Sequence, residues 1–239
     1  MTMELMGPSL ADLFYFCGHK FSLKTTLMIA VQLIQRFKYM HGKHFIHRDV
    51  KPDNFLMGLG ETTGVVHVVD MGLAKRYYDP ANKQHLAYRK DKSLTGTARY
   101  ASIHAHKGEE LSRRDDFEAI GYVLIYFLSG YLPWQNQNSM GKNERYQKIK
   151  EIKIQTSTSE LCWECPAEFH QYMDYVKNLE FEEAPDYEYM QRLFLTVAKR
   201  EGICLTDNLY DWNIRAVTLM QHNSFYDFFV NQDAHPFNK

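Results

Sequence analysis

Apolar residues recur every three or four positions between residues 23 and 41, the spacing that places them on one face of a long helix. Ser22 precedes this stretch and is a suitable helix N-cap. A second helix is predicted over 116–129, where large apolar side chains point in nearly all directions, as is typical of a helix that runs through a core. Further helices are predicted from a cap at Ser9 to about Cys17, and over 142–154, 167–179 and 187–200.

The run VVHVV at 65–69 is short and β-branched, which predicts a strand that ends at Asp70. Residues 44–56 and 72–106 show no sustained period and are predicted to be loops, the second long enough to be functional or disordered. The segment after about Arg215 has no assignable fold. These patterns together predict a mainly helical α+β domain over residues 1–215, followed by a tail of unknown structure over 216–239.

The overall charge is nearly balanced, since 28 Lys and Arg residues face 29 Asp and Glu residues. This excludes a general attraction to nucleic acid or membrane surfaces, so any recognition of anions must be local. No apolar run reaches membrane-spanning length, and no basic segment followed by an apolar one opens the chain. Cys162 and Cys165 lack the second ligand pair of a zinc site and are interpreted as reduced thiols. We therefore expect a cytoplasmic or nuclear protein without nucleic-acid or membrane partners.

The most informative motif is HRDVKPDN at 47–54, which fits the kinase catalytic-loop pattern at every fixed position. Phosphoryl transfer needs a carboxylate that accepts the proton of the substrate hydroxyl, and Asp49 is the candidate. Lys51 can place positive charge beside the transferring group. Asn54 offers a neutral oxygen ligand for Mg²⁺.

The tripeptide Asp70-Met71-Gly72 follows the predicted strand, where kinases carry Asp-Phe-Gly. Asp70 is the candidate ligand for the Mg²⁺ that bridges the nucleotide phosphates. Met71 departs from the usual Phe, and we expect it to occupy a similar apolar position.

Five stretches of the sequence extend this pattern: MELMGPSLADLF, HFIHRDVKPDNFLMGLG, LTGTARYASIHAH, SRRDDFEAIGYVLIYFLSGYLPWQ and FEEAPDYEYMQRLF. Through these stretches, residues 3–215 resemble the casein kinase 1 family almost throughout. The third stretch carries Ala101-Ser102-Ile103-His104 where most kinases have Ala-Pro-Glu, a departure that casein kinase 1 proteins share.

The resemblance implies a role in ATP binding for six further residues. The backbone from Glu4 to Met6 would be the hinge that bonds adenine. Leu56 and Val69 would lie beneath the base. Two polar residues, Ser9 and Asp12, would lie beside the ribose.

The resemblance also implies roles close to the catalytic loop and the protein substrate. Thr97 would bond within the cluster of Asp49 and Lys51, and Asp116 would hold the loop backbone, although a simple helix N-cap is equally consistent with its position. The family favours substrates that already carry phosphate or acidic residues. The matching cationic positions are Arg99, Lys142 and Arg145, with a solvated helix face as the alternative for the last two.

A Gly-rich phosphate loop, a strand lysine and its partner glutamate have no counterpart in the sequence, so the resemblance covers the hinge and the C-terminal lobe only. Two hypotheses follow. The chain belongs to a serine/threonine kinase that uses ATP and Mg²⁺ on acidic or phosphorylated proteins, or it is a catalytically impaired module that binds such peptides. We expect the chain alone to bind nucleotide very weakly and to expose apolar residues such as Leu5, Leu56 and Val69.

Overall fold

The computed structural model describes residues 4–135 and 141–221. Most of the described residues lie in helices and their connections, and the strands are short. The helices are α1 (Leu10–Phe16), α2 (Leu23–Gly42), α3 (Ile103–His106), α4 (Arg113–Ser129), α5 (Lys142–Gln155), α6 (Thr158–Leu161), α7 (Ala167–Lys177), α8 (Tyr187–Arg200) and α9 (Asp211–Gln221). The strands are β1 (Phe45–Ile46), β2 (Phe55–Met57), β3 (Val66–Val68), β4 (Lys75–Arg76), β5 (Tyr78–Asp79) and β6 (Gln84–His85).

Helix α2 confirms the long helix predicted from the apolar spacing. The Ser22 side chain accepts a hydrogen bond from the Thr25 amide and so caps the helix as expected. Its buried face, which includes Leu33 and Phe37, packs against α4 and α8. Phe37 makes edge contacts with Phe55 of β2 and with Phe117 of α4, which places the main core between α2, α4 and β2.

Helix α4 runs through the core, as the nearly all-round apolar pattern predicts. It begins at Arg113 rather than at Asp116, because the Asp115 carboxylate accepts from the amide N of Ser112, the N-cap residue, at 2.7 Å one turn earlier. The helix ends at Gly130, whose backbone is left-handed at φ 82°.

Helices α5, α7 and α8 confirm the other predicted helices, although α7 ends at Lys177 and not at residue 179. Helix α7 packs against both α4 and α8. At the crossing with α4, a Cβ atom added to Gly121 would lie 2.2 Å from the Met173 sulfur and 3.0 Å from a ring carbon of Tyr172. The two helices therefore approach closely because residue 121 has no side chain.

The predicted strand is β3, which pairs antiparallel with β2, with Phe55 opposite Val68 and Met57 opposite Val66. The prediction that 44–56 and 72–106 are loops is wrong in part. These segments contain β1, which pairs with β4, and the hairpin of β5 and β6, as well as the short helix α3. Strands of two residues carry no readable alternation, so the sequence offers no periodic signal for them.

Helix α9 continues past Arg215 to Gln221, so the first six residues of the segment to which the sequence assigns no fold are helical. Asp211 anchors its start: the carboxylate accepts from the Ser22 amide and hydroxyl, both at 2.6 Å. Tyr210 stacks on Trp212 with 4.4 Å between ring centroids. Residues 222–239 lie outside the described part of the chain.

Among the helices that are described, none combines the length and apolar character needed to cross a bilayer.

We predict that Gly121→Ala lowers the free energy of unfolding by about 1–3 kcal/mol, because overpacking against Met173 outweighs the better helix propensity of alanine. Urea denaturation measures the change. Gly42→Ala is the matched control, since the end of α2 leaves open space around that position. If Gly121→Ala costs no more stability than Gly42→Ala, or stabilises the chain, the close crossing is contradicted. If Met173→Ala reduces the stability loss caused by Gly121→Ala, the close crossing is supported.

Candidate active site

The backbone of the catalytic-loop motif is held by the carboxylate of Asp116 on α4. Oδ2 accepts from the amide N of His47, and Oδ1 accepts from the amide N of Arg48, both at 2.9 Å. Oδ2 also lies 2.9 Å from Nε2 of His41, near the end of α2. Because buried N–H groups need acceptors, this one side chain joins α2, α4 and the loop. The helix-cap alternative for Asp116 is wrong, since the cap is Ser112.

His41 completes this buried contact as a neutral imidazole. Burial lowers the pKa of His41, and the hydrogen bond to Asp116 only partly opposes that shift. In the neutral form Nε2–H donates to Asp116, and Nδ1 accepts from the Tyr187 hydroxyl at 3.2 Å. The contact thus also connects the loop to α8.

His47 links the catalytic loop to the segment that carries Asp70. Its Nε2–H donates to the carbonyl of Val69 at 3.0 Å, and its Nδ1 accepts from the amide of Asp49 at 3.2 Å. The ring is fully buried. The His47 ring therefore joins two segments that bear predicted catalytic carboxylates.

Asp49 lies in a nearly enclosed position, with 6% of its surface exposed. Its carboxylate is 2.8 Å from Nζ of Lys51 and accepts from Oγ1 of Thr97 at 2.8 Å. Burial opposes ionisation, but the bonds from Lys51 and Thr97 outweigh it and lower the pKa of Asp49. For Lys51, burial is outweighed by Asp49 and by the charges of Asp53 and Asp70, which raise its pKa. The carboxylate at 49 is therefore ionised at neutral pH.

The two predicted metal ligands lie beside this cluster. Nδ2 of Asn54 donates to the Asp49 carbonyl at 2.9 Å, which turns its Oδ1 atom away from that carbonyl. Asp70 is exposed, and its neighbour Val69 donates its amide N–H to the Asn54 carbonyl at 3.0 Å. Mg²⁺ is usually bound by one or two protein oxygens together with phosphates and waters. A buried amide and an exposed carboxylate on adjacent segments fit such an ion.

Close approach of the Thr97 segment to the loop depends on Gly96. Its φ is 85°, and a Cβ atom there would lie 2.4 Å from the carbonyl oxygen of Arg48. Arg48 itself is left-handed at φ 68° and donates from Nε to the Leu73 carbonyl at 2.7 Å. A side chain at residue 96 would therefore push Thr97 away from Asp49.

Beside the site lies a largely apolar cleft of about 620 Å³, which Met6 and Val69 help to line. Leu56, at its half-buried position in β2, forms an isolated bridge with Ser9. Val69 is likewise half-buried, whereas Leu5 is 81% exposed, so of the three residues expected to be exposed only Leu5 is fully so. Glu4 is exposed as well.

Met71 lines this largely apolar cleft, where 49% of its surface is exposed. The two residues predicted beside a ribose, Ser9 and Asp12, bond to each other, with 2.6 Å between Oγ and Oδ2, and form the capping box of α1. They have a structural role whatever else they bind.

The predicted cationic residues lie on two elements. The exposed Arg99 belongs to the segment next to Thr97, and its guanidinium lies 5.8 Å from the ring centroid of Tyr100 and 5.7 Å from that of Tyr126. Lys142 and Arg145 belong to the first turns of α5. Arg145 is exposed, and the side chain of Lys142 lies outside the described part of the molecule.

The sequence analysis assigned no role to His41 or to the ring of His47 in holding the loop. His47 could have been found from its fixed place in HRDVKPDN. His41 is 75 residues from Asp116 in the chain, and no local pattern signals their contact.

Residues 1–199 match the protein kinase domain family. Because this match covers most of the 239 residues, the chain belongs to the protein kinase family. Proteins of this family transfer a phosphoryl group from ATP to protein substrates with the help of Mg²⁺. The mainly helical architecture is compatible with the kinase-like fold that the motifs predict.

We predict that Asp116→Ala destabilises the chain by at least about 3 kcal/mol, because three buried donors lose their acceptor. Urea denaturation gives the magnitude. Asp174→Ala, an exposed aspartate on α7, serves as control and should change stability by no more than about 0.5 kcal/mol. Equal losses in the two variants would refute the central role of Asp116.

Proposed function

We propose that the chain is a serine/threonine protein kinase of the casein kinase 1 type. It transfers the γ-phosphoryl group of ATP to Ser or Thr of proteins that carry acidic or phosphorylated residues near the target. The observation that carries the proposal is the ionised Asp49, bonded at 2.8 Å to both Lys51 and Thr97 beside Asn54. Membership in the protein kinase family and the casein kinase 1 resemblance support it independently.

In this mechanism Asp49 accepts the proton of the substrate hydroxyl as the oxygen attacks. Lys51 keeps the carboxylate ionised and places positive charge beside the transferring phosphoryl. Thr97 fixes the orientation of the carboxylate through Oδ1 and leaves Oδ2 directed toward Lys51. Asn54 and Asp70 would hold Mg²⁺, and the ion would supply positive charge to the transferring phosphate group. Arg99, Lys142 and Arg145 would bind an anionic group of the substrate.

We predict that Asp49→Asn lowers phosphate transfer to casein at least about 100-fold, because the amide cannot accept the proton. Transfer of ³²P from ATP with Mg²⁺ measures this, at an ATP concentration high enough to offset the very weak nucleotide binding expected of this chain, and a chelator should abolish it. Asp91→Asn is the matched control: residue 91 is exposed and left-handed at φ 60°, a conformation that Asn tolerates. Transfer that survives Asp49→Asn would contradict the mechanism.

We also predict that Arg99→Gln removes most of the preference for a peptide whose phosphoserine precedes the target serine, since a guanidinium binds phosphate through two parallel bonds. Calorimetry with the phosphorylated and plain peptides measures the preference. Arg192→Gln, an exposed arginine on α8, is the control and should leave it unchanged. Phosphopeptide binding without transfer in the wild type would overturn the kinase proposal in favour of a peptide-binding module.

A further inference from the structure

Lys153 on α5 is a fully enclosed lysine with 1% of its surface exposed. Such a position is unusual, because a buried ammonium needs partners for three N–H groups. Within the described part of the chain its partners are main-chain carbonyls and aromatic rings. Nζ donates to the carbonyl of Ala98 at 3.1 Å and to that of Ala101 at 2.5 Å.

Two aromatic rings complete the surroundings of this amine. Nζ lies 4.7 Å from the ring centroid of Tyr122 and 4.8 Å from that of Trp134. Their faces attract a cation within about 6 Å. Burial lowers the pKa of Lys153 well below its usual range, and the charge of Glu118 only partly opposes that shift.

The two carbonyls that Lys153 binds belong to segment 97–101. Other side chains also donate hydrogen bonds to carbonyls of this segment. Trp134 donates its indole N–H to the Arg99 carbonyl at 2.7 Å, and His106 donates to the Ala98 carbonyl at 3.0 Å. The turn is closed by the amide of Ala101, which donates to the Thr97 carbonyl at 2.9 Å. Donors from outside the segment therefore determine its backbone conformation.

We propose that Lys153 is a positioning residue that fixes segment 97–101 against helix α5 and so sets the separation between Arg99 and Arg145. Arg145 is carried by the same helix, two turns before Lys153. The segment holds Arg99 on one side and Thr97, which contacts Asp49, on the other. The separation of Arg99 and Arg145 matters only if both bind the substrate anion, so that part of the inference rests on the proposed function. The anchoring of the segment by Lys153 does not depend on the anion site.

The experiment compares Lys153→Met with Lys148→Met in the full chain. Methionine fills a similar volume but donates no hydrogen bond, so the Ala101 carbonyl loses its partner. Lys148 lies on the same helix with an exposed side chain and provides the matched control. Hydrogen exchange of the amides in 97–104 and calorimetry with the phosphoserine peptide and its plain form are measured for each variant.

For Lys153→Met we expect at least about tenfold faster exchange in 97–104 and at least about tenfold weaker binding of the phosphopeptide, the factor that corresponds to losing one net buried hydrogen bond. Binding of the plain peptide should change little, which a general loss of folding would not produce. Lys148→Met should match the wild type in both measurements. Unchanged exchange, or an equal loss for both peptides, would overturn the proposal.

Two further outcomes separate this inference from the proposed function. If the wild type does not distinguish the two peptides, the anion site is refuted, and faster exchange in Lys153→Met still supports the anchoring. If Lys153→Met does not fold, Lys153→Gln replaces it, because its shorter side chain keeps a polar group at the site but withdraws the donor from the Ala98 and Ala101 carbonyls. Faster exchange in 97–104 supports the proposal, and unchanged exchange overturns it.

Discussion

The arrangement of the site depends on one buried carboxylate. Asp116 accepts hydrogen bonds from two consecutive amides of the catalytic loop and from His41. A loop without regular secondary structure has few backbone bonds of its own, so its shape must come from outside. Helix α4 supplies that constraint because it crosses the core and cannot shift without disturbing the packing around Phe117.

The long segment between β4 and α4 is also held by side-chain contacts. Glu110, just before α4, has a carboxylate 2.8 Å from Nζ of Lys75 and 3.5 Å from that of Lys92. Earlier in the segment, the Lys153 amine donates to the Ala98 carbonyl and the Trp134 indole donates to the Arg99 carbonyl. Side-chain contacts thus replace the ladder hydrogen bonds that an irregular segment lacks, and they hold it beside Asp49.

Electrostatics at the site follow from this geometry. Lys51 and Thr97 both bond to Asp49, and together they outweigh the desolvation that would otherwise raise the pKa of the carboxyl. At His41 the balance has the opposite sign, because desolvation outweighs Asp116 and the imidazole stays neutral. The buried Asp49 is thus kept charged, as the proposed proton transfer requires, and the buried His41 is kept neutral as a hydrogen-bond partner of Asp116.

The sequence alone determined the long helices, whose 3.6-residue period is a local property, and the catalytic motif, whose residues lie within eight positions of one another. It did not determine the two-residue strands, α9 or the roles of His41 and Lys153. Those features rest on contacts between residues far apart in the chain, such as 41 with 116, 22 with 211 and 153 with 98. Only the tertiary structure decides them, because packing of separate helices brings these donors and acceptors together.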